Sequence, residues 1–269
     1  MSVISVVGLR VRNSTFSNTN GTAPSAGIDF EPNDRNDRLE DIELTDLTIY
    51  NNSGNGIDFA TNALGLHPTA TPLAMTSFAV KNLLIDGGRG GGLYYDSVVG
   101  SGTLVVEGAV IRNTMLAGIM LELTSASTHH TTLRDVVLEG VAANFSGKIA
   151  PDPAKHWYGG WTSTSASASP IVVGDPKYGK YSNVLPWDRL PANASATEAP
   201  IGGLSLHNVT VRDTFPRPWA SFMPVGGGGA GDVTGAVRVA NPAGGCKHAL
   251  GSEMGAGGVV YIDVEVQCG

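Results

Sequence analysis

The chain has 269 residues, a formal net charge of −7, 15% charged residues and 42% hydrophobic residues. Nucleic-acid binding needs clustered lysine and arginine, so this acidic balance excludes a basic nucleic-acid groove. No apolar run approaches the ~20 residues of a membrane-spanning helix. No charged segment followed by an apolar one opens the chain as a signal peptide does. The hydrophobic content is sufficient for a continuous core.

A short segment recurs along the chain, with a small polar residue or glycine at both ends and a β-prone centre. Its copies are 13–18, 46–51, 82–87, 108–113, 135–140 and 208–213. A short strand that starts with glycine follows each of the first four copies; these strands are 27–30, 56–59, 92–95 and 118–121. A third set of β-prone segments precedes the first set, at 8–12, 42–44, 78–80, 104–106 and 204–206.

Each period of roughly 26–36 residues therefore carries about three strands separated by small-residue turns. This order predicts an all-β chain: one single-stranded, right-handed parallel β-helix (a solenoid) of about six to seven coils spanning 1–269. Period-two alternation predicts eight inward side chains. They are Ile28, Phe30, Ile57, Phe59, Leu93, Tyr95, Ile119 and Leu121. Residues 143–200 break the rhythm and are rich in proline and aromatic residues, which predicts one long loop insertion.

Asparagine and aspartate at the segment ends favour tight corners, because both tolerate left-handed backbone conformations. One corner is predicted at Asn13, Asp46 and Asn82, and another at Asn18, Asn51 and Asn113.

The ends of the chain carry two further features. Cys246 and Cys268 are either a disulfide pair or two buried thiols. The first strand, at 3–7, has no covering element before it. This predicts either a fragment lacking its N-terminal cap or an end covered by a neighbour or an oligomer.

The outward positions of the glycine-started strands form two predicted columns. The first column is Asp29, Asp58, Tyr94 and Met120, and the second is Glu31, Ala60, Asp96 and Glu122. We expect the carboxylates Asp29, Glu31, Asp58 and Asp96 to lie together on one exposed face. Like charges ~5 Å apart raise carboxyl pKa values or recruit a cation such as Ca²⁺. The alternative is a sheet face on which carboxylates are simply solvated.

The segment Phe30-Glu31-Pro32-Asn33-Asp34, with Asn55-Gly56-Ile57 one coil later, resembles the pectate-lyase-like superfamily of right-handed parallel β-helices. Within it, the segment is similar to mannuronan C5-epimerases, which carry Phe-Asp-Pro-His-Asp and a later His-Gly-hydrophobic strand. The resemblance implies a carbohydrate groove centred on Glu31 and Asp34. Asparagine replaces both family histidines here, at Asn33 and Asn55. Asparagine moves no protons, so the epimerase mechanism does not transfer directly. A plain turn at Glu31–Asp34 is the alternative.

The long loop offers flat rings on which sugar faces can stack, and a glycosidase site would require this loop to lie over the carboxylates. The predicted substrate-binding residues are Tyr94, Arg89, His156, Trp157, Trp161 and Trp187. Packing of the loop rings onto the solenoid is the alternative. The pair His129-His130 is predicted to form a surface turn.

These features predict a carbohydrate-active enzyme that acts on an extracellular polysaccharide by lyase, epimerase or glycoside hydrolase chemistry. Its predicted catalytic residues are Glu31, Asp34, Asp29, Asp58 and Asp96. The predicted location is extracellular or at the cell surface. The alternative function is a non-catalytic glycan-binding or adhesive surface module, which asparagine at both histidine positions favours.

Overall fold

The structure is a computed structural model. It describes residues 1–22, 24–34, 36–61, 64, 75–97, 101–123, 128–142, 169–173, 203–214, 219–222, 233–240, 246, 249–250 and 262–269. Within these ranges the chain is all-β, with almost no helix, as the sequence predicts.

Two eight-stranded parallel sheets contain most of the strands. The first sheet is, in spatial order, β1 (Ser2–Val3), β4 (Ile28–Phe30), β7 (Ile57–Ala60), β9 (Leu93–Ser97), β11 (Ile119–Leu123), β13 (Ile171–Val173), β15 (Ala220–Phe222) and β17 (Ala249–Leu250). The second sheet is β3 (Arg10–Ser17), β6 (Ile42–Tyr50), β8 (Met75–Asp86), β10 (Ser101–Arg112), β12 (Thr128–Glu139), β14 (Leu204–Arg212), β16 (Val233–Ala240) and β18 (Ile262–Cys268). A small parallel pair joins β2 (Val6–Val7) to β5 (Leu39–Glu40).

Spatial order equals sequence order in both sheets, and strands of the two sheets alternate along the chain from β6 onward. Each passage of the chain therefore adds one strand to each sheet. The first and third predicted segment sets belong to one long strand rather than to two. In β8, for example, 78–80 and 83–86 lie on either side of a left-handed residue, Asn82, at φ 52°.

The predicted corner residues all have left-handed backbone conformations, which confirms both corners. The φ angles are 48° at Asn13, 55° at Asp46, 52° at Asn82, 58° at Asn18, 53° at Asn51 and 58° at Asn113. Side-chain amides link these corners between strands. The Asn82 amide donates to the Asp46 carboxylate over 3.0 Å, and the Asn51 amide donates to the Asn18 carbonyl over 2.8 Å. Asparagine therefore supplies both the backbone geometry and a bond between successive strands.

Asn82 allows these two roles to be separated. Replacing Asn82 by alanine is expected to destabilise the fold by about 1–2 kcal/mol, because alanine is strained at positive φ. Glycine at this position is not strained, but it lacks the side-chain amide that donates to Asp46. A loss of about 0.5–1 kcal/mol in the free energy of unfolding is therefore expected. Urea denaturation followed by circular dichroism measures both. Equal losses in the two variants would contradict the role assigned to the backbone.

The eight predicted inward residues are all buried, each at most 1% exposed, and they belong to one core between the sheets. Aromatic rings stack through this core. Phe30 lies parallel to Phe59 at a centroid distance of 5.4 Å, and Phe78 meets the edge of each. The predicted alternation of the glycine-started strands is therefore confirmed on its inward side.

Two other predictions concern the periphery. Cys246 and Cys268 form a disulfide, with Cα atoms 5.9 Å apart, which resolves the alternatives left open by the sequence. Among the described residues, no helix has the length and apolar character needed to cross a membrane.

Candidate carboxylate site

The first sheet aligns the outward residues in the predicted register. Asp29 pairs with Asp58, Asp58 with Tyr94 and Tyr94 with Met120. In the next column, Ala60 pairs with Asp96 and Asp96 with Glu122. Adjacent strands lie about 4.8 Å apart, so Asp29 and Asp58 are close neighbours across one strand interval.

The predicted exposure of this face is wrong for its central residues. Asp29 is 5% exposed, Asp58 4% and Tyr94 3%, so all three are buried. Glu31 is half-buried, and Asp34 is exposed. The side chain of Asp96 lies outside the described part of the structure. Alternation correctly assigned these residues to the outward side, but it carries no information on what covers that side.

The outward column changes character along the stack. Beyond the two aspartates, Tyr94, Met120 and Val172 pack with Leu116 and Ala117 in a small apolar cluster separate from the main core. Tyr94 is thus a buried packing residue as well as a neighbour of Asp58. The outward side of the first sheet therefore contains a buried acidic end next to a buried apolar stretch.

The pKa of the Asp29 carboxyl is strongly shifted from its ordinary value. Burial, and then the neighbouring Glu31 carboxylate, raise the pKa of Asp29 to about 7. The Met1 amino group and a hydrogen bond with Ser2 act in the opposite direction but do not cancel these effects. Oδ1 of Asp29 is buried and accepts no hydrogen bond from any described residue. The Asp29 carboxyl therefore keeps its proton to a higher pH than an ordinary aspartate does.

Asn55 positions Asp58. The Asn55 side chain is fully buried; its amide donates to Oδ2 of Asp58 over 3.2 Å, and its carbonyl accepts the Gly91 backbone N–H over 2.8 Å. Gly90 and Gly91 are required here. A Cβ on Gly90 would lie 2.7 Å from Oδ1 of Asn55, and one on Gly91 would lie 2.5 Å from Cε of Met120. The glycine-rich segment 88–92 therefore packs closely against the strand-end segment that contains Asn55.

The Asp34 segment has the geometry of a turn. The Asp34 carboxylate accepts hydrogen bonds from the backbone N–H of Asn36 over 2.8 Å and from its side-chain amide over 2.6 Å. The Asp37 carboxylate accepts the backbone N–H groups of Asn33 and Asp34, each over 2.9 Å. These contacts are local, so the structure favours the turn interpretation for Asp34. It leaves Asp29 with Glu31 as an interacting neighbour and with Asp58 one strand away.

The remaining substrate-binding predictions are spread out or lie outside the described residues. Arg89 is exposed, and its backbone N–H donates to the Asn52 carbonyl over 2.9 Å. His156, Trp157, Trp161 and Trp187 all lie outside the described residues. Among the residues that the structure describes, no group of three or more His, Cys, Asp or Glu side chains could hold a metal ion. The Ca²⁺ site that the sequence left open as one alternative therefore has no such ligand group in that part of the chain.

His129 corrects the surface-turn prediction. It is fully buried inside the core, with its ring stacked on Tyr95 at a centroid distance of 4.1 Å, while His130 is exposed. Burial lowers the pKa of His129 to about 3, so the ring is neutral at pH 7. The alternation of His129 with Thr131 and Leu133 was the signal for an inward position. His129 faces the core and not the outward carboxylates.

No protein family, curated protein or solved structure matches this chain. The geometry of the Asp29, Glu31 and Asp58 group therefore carries the functional argument.

Proposed function

We propose that the chain is a single-stranded, right-handed parallel β-helix that acts on an extracellular polysaccharide by general acid–base cleavage of its glycosidic bonds. The resemblance to the pectate-lyase-like superfamily and the alternation of strands between two parallel sheets support the helix. The eight strands of each sheet correspond to about eight coils, slightly more than the expected six to seven. Handedness and closure belong to the proposal.

The buried Asp29 carboxyl is the observation that carries the proposed chemistry. Glycosidic cleavage needs one carboxyl that holds a proton near neutral pH and a second that is ionised. With its pKa raised to about 7, Asp29 suits the proton donor, and its Oδ1 is free of described donors. Asp58, one strand away and oriented by Asn55, suits the second role. Glu31 tunes Asp29 and lies half-exposed at the edge of the group.

Of the three predicted reactions, hydrolysis fits these side chains better than lyase or epimerase chemistry does. Both roles in hydrolysis fall to carboxyl groups, whereas epimerases of the similar family use histidines that are replaced here by Asn33 and Asn55. A retaining hydrolase needs carboxyl groups about 5–5.5 Å apart, which is close to the ~4.8 Å spacing of neighbouring strands. The test described next also detects the products of lyase and epimerase reactions.

The test is a panel of neutral and uronate-containing polysaccharides incubated with the protein. Three products are measured: new reducing ends, absorbance of unsaturated uronates and exchange of the C5 hydrogen in deuterated water. Reducing ends without unsaturated product are expected. Asp29→Asn and Asp58→Asn should each lower the rate by about 10²–10⁴-fold, the usual contribution of a positioned acid or base.

Glu31→Gln should lower the rate with little change in melting temperature, because a half-exposed side chain contributes little to packing. Glu139→Gln is the matched control, since Glu139 is an exposed carboxylate on the second sheet. If the protein binds a polysaccharide but forms none of the three products, the proposed function is wrong. A non-catalytic glycan-binding or adhesive module then takes its place. Asparagine at both family histidine positions, Asn33 and Asn55, favours that second candidate.

A further inference from the structure

The second sheet ends on β3 at one side and β18 at the other. Within the described residues, each of these strands has a strand partner on one side only. An exposed sheet edge presents unpaired backbone donors and acceptors to any chain that can add a strand. Both edges belong to the same parallel sheet, so a strand from another molecule could extend it without a change of direction.

The strand register shows which residues of the two edges would lie opposite each other. The column that starts at Val11 continues through Leu44, Val80, Val106, Leu133, Leu206 and Gly235 to Val264. In the first sheet, the column that starts at Val3 ends at Leu250. Placing β3 of a second copy after β18 therefore aligns Val264 with Val11 and, in the other sheet, Leu250 with Val3. Apolar positions meet apolar positions in both sheets.

Charges on the same two edges are opposite in sign. Arg10 and Arg12 are exposed on β3, and Asp263 and Glu265 are exposed on β18. The Arg10 column ends at Asp263, whereas the Arg12 column ends at His207, where the register shifts, so that Glu265 falls opposite the two residues Arg12 and Asn13. Inside the chain, neighbouring strands of this sheet already pair in this way. Arg112 pairs with Asp86 over 2.7 Å, Arg10 with Glu43 over 3.4 Å and Arg212 with Glu139 over 3.5 Å. Contact between the two edges would repeat that arrangement.

One irregularity also matches. Between Val11 and Ser14, β3 carries two residues, whereas β18 carries only Glu265 between Val264 and Val266. The β14–β16 pair accommodates the same difference, because its register shifts by one residue between Leu206 and Val209. The fold thus already contains a pairing of the kind that β18 on β3 requires.

Apolar surface adds a favourable term at the β3 end. Val3, Val6, Leu9, Val11 and Phe16 are only partly buried there, and Val264 and Val266 are partly buried at the β18 end. Met1 is 41% exposed, Ile4 48% and Val7 51%. Burying such side chains stabilises an interface by about 25 cal/mol per Å² of apolar area.

We propose that a second copy of this chain docks head to tail, with its β3 edge on the β18 edge of the first, so that both sheets continue through the contact. Arg10 then faces Asp263 and Arg12 faces Glu265 across the interface. The contact is heterologous and leaves the outer ends of the pair free, so it repeats into open stacks rather than closing at a dimer.

The experiment measures the mass of the full chain against protein concentration by sedimentation velocity and light scattering. Mass is expected to rise without a plateau at the dimer and to fall as salt screens the charge pairs. Glu265→Arg should weaken association about tenfold or more, as a like-charge contact between partners does. Glu265 contacts only the Gln267 side chain among the described hydrogen bonds, so its replacement leaves the fold intact. Glu139→Arg is the control with the same change of charge in the middle of the stack.

Charge reversal tests the orientation. Arg12→Glu should also weaken association, and the double variant Arg12→Glu/Glu265→Arg should recover it to within about threefold, because the pair is restored with its signs exchanged. An equimolar mixture of the two single variants should recover it as well. If Arg12→Glu fails to fold, Arg12→Ser takes its place in the weakening arm. A monomer at all concentrations, a mass that stops at the dimer, or a double variant without recovery would each overturn the proposal.

Discussion

Replacing Gly92 by alanine is expected to lower the free energy of unfolding by about 2–3 kcal/mol. A Cβ at this position would lie 2.4 Å from the carbonyl oxygen of Gly118 and 2.4 Å from Cγ2 of Ile111. The Gly118 carbonyl accepts the Leu93 N–H over 2.9 Å, so it cannot move away without straining the first sheet. The added methyl group therefore forces two neighbouring strands apart.

Gly118→Ala is the matched control one strand further on. A Cβ there would lie 3.1 Å from the ends of the Leu138 and Val141 side chains, which yield more easily than backbone, and 3.5 Å from the Pro170 carbonyl oxygen, which is an ordinary contact distance. A loss of less than about 1 kcal/mol is expected, since alanine also reduces the entropy of the unfolded chain. Urea midpoints at unchanged slope measure both variants. A Gly92→Ala protein as stable as the Gly118→Ala protein would show that the strands have more space than the structure gives them.

The glycines and asparagines were predictable from the sequence because their roles depend on local backbone chemistry. Asn82 stands at a corner since it tolerates a φ of 52°, and Gly92 starts its strand since a side chain has no room there. Each of these constraints recurs once per passage of the chain, so it is visible as a repeat in the sequence. The inward positions follow from the same repeat by alternation.

The burial of Asp29 and Asp58 was not predictable in the same way. Alternation places a side chain on one side of a strand, but only tertiary packing decides whether that side meets water. The contact between Asn55 and Gly91 is equally non-local, because the Asn55 carbonyl accepts the N–H of a residue 36 positions further along the chain.

His129 shows a different limit of sequence reasoning. Its position at the start of a segment and its polar neighbour His130 favoured a turn, yet the long strand β12 begins before it, at Thr128. The ring then follows the inward alternation and stacks on Tyr95. A neutral imidazole packs within an apolar pattern, so a histidine at the start of a segment does not by itself indicate a turn.

The stability of the protein is expected to fall as the pH rises from about 4 to about 7, and Asp29 is the cause. The pKa of Asp29 is about 7 in the folded chain, against a reference value of 3.8. Across that interval the folded state holds a proton that the unfolded chain has released, so raising the pH favours unfolding. About 3 pKa units at 1.36 kcal/mol each set an upper bound of about 4 kcal/mol on the loss.

Other carboxyl groups also contribute to the pH dependence, so the informative quantity is the difference between wild type and variants in free energy of unfolding at each pH. Asp29→Asn should remove the loss between pH 4 and 7, whereas Glu139→Gln should keep it. Glu31→Gln should move the loss to lower pH, because the Glu31 carboxylate helps to raise the pKa of Asp29. Urea denaturation at closely spaced pH values measures all three. The same loss in Asp29→Asn as in wild type would show that Asp29 is ionised throughout this range, and it would then be unable to donate a proton at neutral pH.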